Sequence, residues 1–233
     1  MLTVVAGVGP AGASTVSMVW GYTRRALVVE ANPAGGDMWA WPMVPDTGLA
    51  ELAAAVLRHG DVTPEQVRQC ARSTPHGVQV VTAPATSKGA AASTAAFAGE
   101  LPKVATELDL VVDAGQLASL PDRGLLAAAD RVLLLVVPTA GQLARLSEEL
   151  PGVRELCGDR LTVATCDVGW SGPLVHRTSE VAAHLECEVA ALPYDPRTAG
   201  AVAGRPGSLP PAGRRLGVVA AWRFPLLEAV RTL

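Results

Sequence analysis

The chain has 233 residues, of which 49% are hydrophobic and 18% charged, and its formal net charge is −3. This size fits one α/β domain, and the slightly negative charge excludes a protein that coats nucleic acid with its whole surface. No apolar run reaches the roughly 18 residues of a membrane span, and no basic segment precedes an apolar one at the N-terminus. The four cysteines form no C-x-x-C pair, which argues against a zinc site and fits a reducing compartment. We therefore expect a cytoplasmic protein.

Short apolar runs alternate along the chain with longer segments of helical periodicity. The runs are four to seven residues long and continuously apolar, which is typical of strands covered on both faces. We predict strands over Leu2–Ala6, Ala26–Glu30, Val78–Thr82, Leu110–Asp113, Arg131–Val137, Leu161–Thr165 and Val189–Leu192. We predict helices over Ala13–Thr23, Gly48–Arg58, Pro64–Ala71, Ala90–Glu107, Pro121–Ala129, Gly141–Cys157, Leu174–Leu185 and Gly213–Thr232.

This alternation predicts a doubly wound α/β fold, with a mostly parallel sheet and helices on both faces. We expect one domain over residues 1–233, because no repeat, low-complexity tail or linker divides the sequence. Ligands of such folds bind at the carboxyl ends of the strands. The residues that follow the predicted strands are therefore the first candidates for a site.

The loop after the first predicted strand has the glycine spacing of a phosphate-binding loop. In the pattern G-x-x-x-x-G-K-[ST], backbone N–H groups cradle the phosphates, the lysine reaches the β- and γ-phosphates, and the hydroxyl holds Mg²⁺. Gly7 and Gly12 match the glycines, Ser14 matches the hydroxyl, and Ala13 stands in the lysine position. The candidate phosphate site also includes Gly9 and Thr15. The loop therefore has the glycines of a phosphate-binding loop and lacks its lysine.

The same loop fits a second pattern, the dinucleotide-binding fingerprint. Gly7, Gly9 and Gly12 form a complete G-x-G-x-x-G. Glu30 lies 18 residues after Gly12, close to where that fingerprint places the acid that hydrogen-bonds a ribose. These residues alone do not separate a triphosphate site from a flavin or NAD site, so both interpretations stay open at this point.

Three later strand ends also carry polar residues. The second strand leads into Glu30-Ala31-Asn32-Pro33-Ala34-Gly35, and the fourth closes on the carboxylate of Asp113. The last strand leads into Ala191-Leu192-Pro193-Tyr194-Asp195. Together with the glycine loop, these segments resemble the ParA/MinD family of deviant Walker ATPases over nearly the whole chain. The family pattern is G-K-G-G-x-G-K-[ST]-[ST], then D-x-D-P-x-G, then a strand ending in the Walker B aspartate, and last a strand ending near I-P-x-D.

The resemblance implies a P-loop NTPase-like fold and ATP or ADP as the ligand. It implies that Ser14 and Asp113 hold Mg²⁺ once a nucleotide is bound. It also places Glu30 and Asn32 near the nucleotide, and it makes Asp195 a candidate contact of the base or ribose.

The departures from the family pattern fall on the residues that carry the chemistry. Val8 replaces the signature lysine, which in the family reaches the phosphates of a partner subunit, and Ala13 replaces the loop lysine. Asn32 replaces the acid implicated in positioning the attacking water, and Glu30 replaces the first acid. Phosphoryl transfer depends on positioned positive charge. We therefore expect weak or absent binding of ATP or ADP with Mg²⁺, and we assign no catalytic residue.

The sequence thus predicts a pseudo-ATPase that acts as a regulatory or scaffold element in partition or positioning, septum-related, or secretion and conjugation machinery. Three alternatives remain. The first is an active ATPase of the same family that uses a non-standard arginine, such as Arg24 or Arg25. The second is a flavin- or NAD-binding oxidoreductase unit, and the third is a non-specific DNA-binding module.

Two surface candidates concern partners. Trp39 and Trp41 could form an apolar docking surface for a protein partner or a second copy, although core packing is the commoner fate of a tryptophan. Segment 195–233 carries six arginines against two acids, so Arg214 and Arg215 are candidate contacts of non-specific DNA. A solvated helix face explains the same charges. The last ten residues are too short and too weakly basic for a stable membrane anchor.

Overall fold

The computed structural model of the chain describes residues 1–40, 47–121, 123–167, 175–202 and 225–233. Within these ranges, eight strands form one sheet. The strands are β1 (Leu2–Gly7), β2 (Leu27–Glu30), β3 (Arg72–Ser73), β4 (Gln79–Val81), β5 (Leu110–Gln116), β6 (Arg131–Val136), β7 (Leu161–Cys166) and β8 (Val189–Leu192). The helices are α1 (Ala13–Arg24), α2 (Gly48–His59), α3 (Pro64–Cys70), α4 (Ser87–Phe97), α5 (Leu101–Val104), α6 (Gly124–Ala128), α7 (Ala140–Cys157), α8 (Thr178–Leu185), α9 (Pro196–Val202) and α10 (Pro225–Thr232).

The sheet has the strand order β3-β4-β2-β5-β1-β6-β7-β8. Every neighbouring pair is parallel except β3 and β4, which form an antiparallel edge. The predicted doubly wound, mostly parallel fold is therefore confirmed. Strand β3 was not predicted, because its two residues are exposed and carry no apolar signal.

Side chains of the parallel strands alternate between two hydrophobic clusters, one on each face of the sheet. In β6, Val132 and Leu134 belong to the larger cluster, whereas Leu133 and Leu135 belong to the smaller one. Successive residues of a strand point to opposite faces. Because both faces are covered, the strands are continuously apolar, as their sequences indicated.

Helices cover both faces of the sheet. The larger cluster includes residues of α2 and of α4 to α8, such as Phe97, Leu126 and Leu146. The smaller cluster lies under α1 and α10, which contribute Trp20 and Val230. The helix that follows the glycine loop is therefore packed against the sheet along its length, which fixes the position of its N-terminus.

Three predicted helices differ from the structure by more than three residues. The predicted helix Ala90–Glu107 is divided into α4 and α5 by a 3₁₀ turn. Gly99 in that turn weakens the helix, and Pro102 lacks the N–H that would continue it. The helices predicted to begin at Leu174 and Gly213 are seen as α8 and α10, and both predicted starts lie outside the described residues. Among the helices that the structure describes, none is long and apolar enough to cross a membrane.

Candidate functional site

The predicted site residues of several strands meet at the carboxyl edge of the sheet. Strand β5 lies between β1 and β2, and Asp113 pairs in register with Val5 on one side and Glu30 on the other. The glycine loop begins at Gly7, two residues after Val5, so it starts close to Asp113. Residues that are about 100 positions apart in the sequence are thus brought to one place by strand pairing.

The glycine loop curls tightly between β1 and α1. A Cβ atom at Gly7 would lie 2.5 Å from the carbonyl oxygen of Gly9, so only glycine fits at the first position. Gly12 has a φ of +80°, a left-handed conformation that glycine adopts without strain, and α1 begins at the next residue. The glycines that match the phosphate-loop pattern are therefore required by the backbone itself.

The first turn of α1 presents its backbone N–H groups toward this loop. The Val16 N–H donates to the Gly12 carbonyl at 3.0 Å, but the N–H groups of Ala13, Ser14 and Thr15 have no acceptor among the described residues. Unpaired N–H groups at a helix start, together with the positive end of the helix dipole, bind anions. The start of α1 therefore has unpaired N–H groups of the kind that an anion site needs.

Ser14 and Asp113 form the polar contact at the base of the loop. The Ser14 hydroxyl donates to Oδ2 of Asp113 at 2.6 Å, and the Gly115 N–H donates to Oδ1 at 3.0 Å. Asp113 is fully buried, and this burial raises the pKa of its carboxyl to about 6, although the bond from Ser14 opposes the shift. The two residues predicted to hold Mg²⁺ are thus in direct contact, and their role as metal ligands stays a prediction.

This pair fits Mg²⁺ only in part. Magnesium is bound by one or two protein oxygens together with phosphate oxygens and water, rather than by an all-protein cage. Among the described residues, no cluster of three or more His, Cys, Asp or Glu could hold a metal ion. Ser14 and Asp113 would therefore hold Mg²⁺ together with a phosphate, and not on their own.

Neither position of a family lysine carries a cation. Val8 is 4% exposed and packs in the larger core, and its N–H donates to the Leu135 carbonyl at 2.9 Å. Ala13 is buried in the smaller core. Both positions have become part of the packing.

The arginines that follow in the sequence do not replace those lysines. Between Gly7 and Met38, the basic residues are Arg24 and Arg25, at the C-terminal end of α1. A rise of about 1.5 Å per residue places Arg24 about 15 Å along the helix from Ser14. The suggestion that one of these two arginines serves the loop of its own chain is therefore wrong.

Glu30 has a structural role. Its Oε1 accepts the N–H groups of Asp37 and Met38 at 2.8 and 2.9 Å, and its Oε2 accepts that of Ala83 at 2.9 Å. The side chain is fully buried, and this burial raises its pKa to about 7, against the effect of these bonds. The carboxylate ties the segment after β2 to the end of β4.

These bonds weigh against the dinucleotide interpretation. The Glu30 carboxylate faces backbone donors and not a ribose site. The usual dinucleotide-binding order also places the second strand next to the first, whereas β5 separates them here. The glycine spacing alone still fits that fingerprint, but its other requirements are not met.

Asn32 shapes the segment beside Asp113. Its Oδ1 accepts the Ala34 N–H at 3.0 Å, and its carbonyl accepts the Gly35 N–H at 3.2 Å, which closes an Asx turn. The side chain lies against Gly115, where an added Cβ atom would overlap it. Asn32 is thus close to the predicted site, but its amide oxygen is used within the turn.

A cavity of about 180 Å³ opens beside the start of α1. Its lining residues come from the loop, from α1, from the ends of β7 and β8, and from the helices that follow. They are Ala11, Gly12, Thr15, Val16, Cys166, Asp167, Leu192, Pro193, Tyr194, Asp195, Pro196, Ala199 and Leu226. The cavity is predominantly apolar and adjoins the unpaired N–H groups of α1, so a ligand could occupy both.

Asp195, a predicted base or ribose contact, lines this cavity and also caps α9. Its carboxylate accepts the Thr198 N–H at 3.0 Å and the Thr198 hydroxyl at 2.6 Å. It also accepts the Leu226 N–H of α10 at 3.4 Å. These bonds hold the two helices at the cavity, and a contact of Asp195 with a nucleotide stays a prediction.

Sequence reasoning missed Gln142 on α7. Its Oε1 accepts the Val137 N–H at 3.0 Å. A Cβ atom at Gly9 would lie 3.2 Å from both Cδ and Nε2 of Gln142, so the side-chain amide packs on the glycine loop. No local motif could have identified this residue, because its contact with Gly9 exists only in the folded chain.

Several predicted residues cannot be placed. Trp41, Arg214 and Arg215 lie outside the described residues, and for Trp39 the structure describes the backbone, in a 3₁₀ turn, but not the side chain. The docking surface and the DNA contact stay predictions.

Comparison with known proteins identifies the fold. No protein-family model and no curated protein matches the sequence. Among solved structures, a ParA family ATPase from Chlorobium tepidum TLS superposes with a TM-score of 0.73 at 14% identity, over 100% of this chain and 99% of that one. A MinD septum site-determining protein from Pyrococcus horikoshii OT3, complexed with Mg-ADP, gives 0.66 at 13%, over 99% and 94%. MinD in the MinC:MinD cell division complex of Aquifex aeolicus gives 0.62 at 11%, over 99% and 94%. At these identities, the comparison establishes that the chain has the ParA/MinD fold.

Proposed function

We propose that this chain is a degenerate relative of the ParA and MinD ATPases that binds a nucleotide weakly and does not hydrolyse it. The observation that supports this most strongly is the combination of an intact loop backbone with two uncharged positions. The N–H groups of Ser14 and Thr15 have no acceptor among the described residues, and the Ser14–Asp113 contact is 2.6 Å long. Val8 and Ala13 are packed in the cores.

Hydrolysis needs more than this cradle supplies. A single positioned cation is worth about 10³-fold or more in phosphoryl transfer. Here Asp113 lies beside Glu30 in the sheet, and Asp37 is close enough to raise the pKa of the Asp113 carboxyl further. These carboxyl groups supply no positive charge, and Val8 and Ala13 supply none either. This arrangement favours binding without turnover.

We propose that the protein acts through a partner, as a regulatory or scaffold element of a positioning, partition, septum-related, or secretion and conjugation system. One of the similar folds is that of MinD in a complex with MinC. Partner binding needs a surface and not a hydrolytic site, so it survives the loss of both lysines. Trp39 and Trp41 remain the candidate surface on this chain.

Calorimetric titration with ATP and ADP in the presence of Mg²⁺ tests this proposal, together with phosphate release measured on the same sample. We expect dissociation constants of roughly 0.1–1 mM, which correspond to only about 4–5.5 kcal/mol of binding free energy, and no phosphate release above background. Ala13→Lys, which restores the cation, should tighten ATP binding about tenfold. Ser14→Ala should weaken it.

Two results would contradict the proposal. Micromolar ATP binding with steady turnover by the unaltered chain would show a working ATPase. No binding of either nucleotide, even to a folded Ala13→Lys variant, would show that the loop is only a tight turn.

A further inference from the structure

The two edges of the sheet differ in how they are protected. Strands β3 and β8 are the outermost strands, and each pairs on one side only. Strand β3 has two residues, one of which is the charged Arg72. Strand β8 has four residues, none of them charged and none a proline, and its register with β7 is continuous. Short length, charge, proline and bulges are the usual means of blocking an edge, so β8 is the edge better suited to accept another strand.

The pairing of β8 with β7 shows which of its backbone groups point outward. The Asp167 N–H donates to the Leu192 carbonyl at 2.9 Å, so the backbone of Leu192 faces β7. Since alternate residues of a strand bond to the same neighbour, the backbone of Ala190 faces β7 as well. Val189 and Ala191 therefore direct their N–H and C=O groups outward. Within the part of the chain that the structure describes, nothing bonds to these outward groups.

The side chains of β8 leave room for a further strand. Val189 and Ala190 are half-buried, and Ala191 is exposed. Val189 packs against the larger hydrophobic cluster and Ala190 against the smaller one, so each face of the edge has a partly uncovered apolar surface. Successive side chains of an added strand point to opposite faces and would cover both surfaces. These contacts favour a segment that contains apolar residues.

Two carboxylates lie at the start of this edge. Glu186 and Glu188 precede β8 and are exposed, and neither forms an ion pair with any residue that the structure describes. Arg154 of α7 donates to the neighbouring Leu185 carbonyl at 3.0 Å, and not to these carboxylates. Charge complementarity therefore favours a basic side chain in a segment that pairs with β8.

We propose that the outer edge of β8 binds an extended segment of a partner protein, which has apolar residues along the strand and a basic residue beside Glu186 and Glu188. The N–H and C=O groups of Val189 and Ala191 supply the backbone donors and acceptors. In strand addition, backbone pairing gives the affinity and the side chains give the preference. This inference rests on the partner binding proposed above, and it uses no residue of the glycine loop.

A second copy of this chain fits the edge less well. Pairing of β8 with its own copy would join two strands of four residues, a contact much smaller than the roughly 1,200–2,000 Å² that a stable interface buries. It would also bring no basic side chain of β8 to Glu188, because the strand has none. A short basic segment of another protein meets both conditions.

Amide hydrogen exchange measured by NMR tests the edge in the unaltered chain. The Val189 and Ala191 amides should exchange about tenfold faster than those of Ala190 and Leu192, which pair with β7 and serve as internal controls. The binding probe is a synthetic peptide of alternating valine and threonine that ends in two lysines. At saturating peptide, exchange at Val189 and Ala191 should slow about fivefold or more. The same peptide with methylated backbone nitrogens cannot pair and should have no effect.

Ala191→Pro removes one outward N–H and should weaken peptide binding about tenfold, whereas Ala191→Ser keeps the N–H and is the matched control. The double variant Glu186→Gln, Glu188→Gln should weaken binding about threefold or more at low salt. Glu107→Gln should not, because this exposed acid precedes β5, four strands away in the sheet. Thermal melting shows whether Ala191→Pro folds, and the methylated peptide tests the same hydrogen bonds if it does not.

Equal binding of the methylated and unmethylated peptides, or no binding of either, overturns the assignment of this edge. The proposed nucleotide binding is then unaffected, because calorimetric titration measures it separately. Light scattering tests the other occupant: a dimer of the unaltered chain that becomes a monomer in Ala191→Pro would show that a second copy occupies the edge. That result also overturns the proposal of a partner segment.

Discussion

Gly115 is held in a position that no other residue can occupy without displacing Asn32. Its φ is +66°, and an added Cβ atom would overlap the Asn32 side chain beside Asp113. Gly115→Ala should therefore destabilise the protein by about 3 kcal/mol or more, since left-handed strain of roughly 1 kcal/mol adds to a steric overlap. Urea denaturation followed by circular dichroism measures the loss.

Gly77→Ala is the matched control for this substitution. Gly77 also has a positive φ, +82°, but an added Cβ atom would meet nothing within 4 Å. This variant should lose only the stability that the backbone strain costs, roughly 1 kcal/mol. Equal losses of stability in Gly115→Ala and Gly77→Ala would refute the close approach of Asn32 to Gly115. Recovery of stability in an Asn32→Ala, Gly115→Ala double variant would support it.

The buried carboxyl of Asp113 should make the stability of the ligand-free protein depend on pH. Its pKa rises from 3.8 to about 6 on folding, because burial disfavours the charged form. The folded state therefore binds a proton more tightly than the unfolded state. The associated stability is complete below about pH 4 and is lost as the pH rises to about 6. Glu30, with its pKa raised to about 7, acts in the same direction.

Asp113→Asn should reduce this pH dependence. Asparagine keeps the shape, can accept the Gly115 N–H, and can donate to the Ser14 hydroxyl, so the variant should fold. Two pKa units correspond to roughly 2–3 kcal/mol, and the variant should lose that much less stability between pH 4 and pH 6.5. Asp61→Asn, at an exposed position, is the control. Parallel profiles of unfolding free energy for the two variants would contradict the assignment.

Helix α10 forms one wall of the cavity and is docked by a small set of buried and hydrogen-bonded contacts at both of its ends. Val230 is fully buried against α1 and the sheet, Leu226 donates its N–H to Asp195, and Arg131 donates to the carbonyl of Leu233. A helix of eight residues is not stable without such packing. Whether the cavity is closed on this side therefore depends on the docking of α10.

Val230→Ala should release this helix before it affects the rest of the fold. The loss of two buried methyl groups should weaken the docking of α10 by about 1–2 kcal/mol. Hydrogen exchange over residues 225–232 should accelerate roughly 5–30-fold, while exchange in β1 and β6 stays unchanged. Thr232→Ala, at an exposed position of the same helix, should change little. Uniform acceleration over the whole sheet would instead show that α10 unfolds only together with the domain.

At the scale of the whole molecule, the position that carries the signature lysine in the ParA/MinD pattern is Val8, which has no charge to offer to the nucleotide of a second subunit. The side chain of Val8 packs in the larger core. We therefore expect ATP to leave the molecular mass unchanged, whether the protein is a monomer or a dimer without it. Light scattering after size exclusion, with and without millimolar ATP and Mg²⁺, measures this. An ATP-dependent shift from monomer to dimer would contradict it.

Local sequence was sufficient to predict the fold class. Continuously apolar strands that alternate with helices favour a sheet that is covered by helices on both faces. Local sequence was also sufficient for the glycine loop, since Gly7 and Gly12 are required by the backbone itself. Strand β3 could not be predicted in this way, since two exposed residues carry no periodicity. The division between α4 and α5 was missed because Gly99 and Pro102 lie inside an otherwise helical pattern.

The roles of individual side chains in the site were decided by tertiary contacts. The sequence determined that Ser14 and Asp113 are present and that Val8 and Ala13 carry no charge, because these facts are local to each position. Only the folded chain brings Ser14 and Asp113 together across 99 residues. Only there does Glu30 bond to Ala83, 53 residues away, and so become unavailable to a ribose. A polar side chain is available to a ligand only if other residues of the folded chain do not already hydrogen-bond to it. Those residues come from distant parts of the sequence.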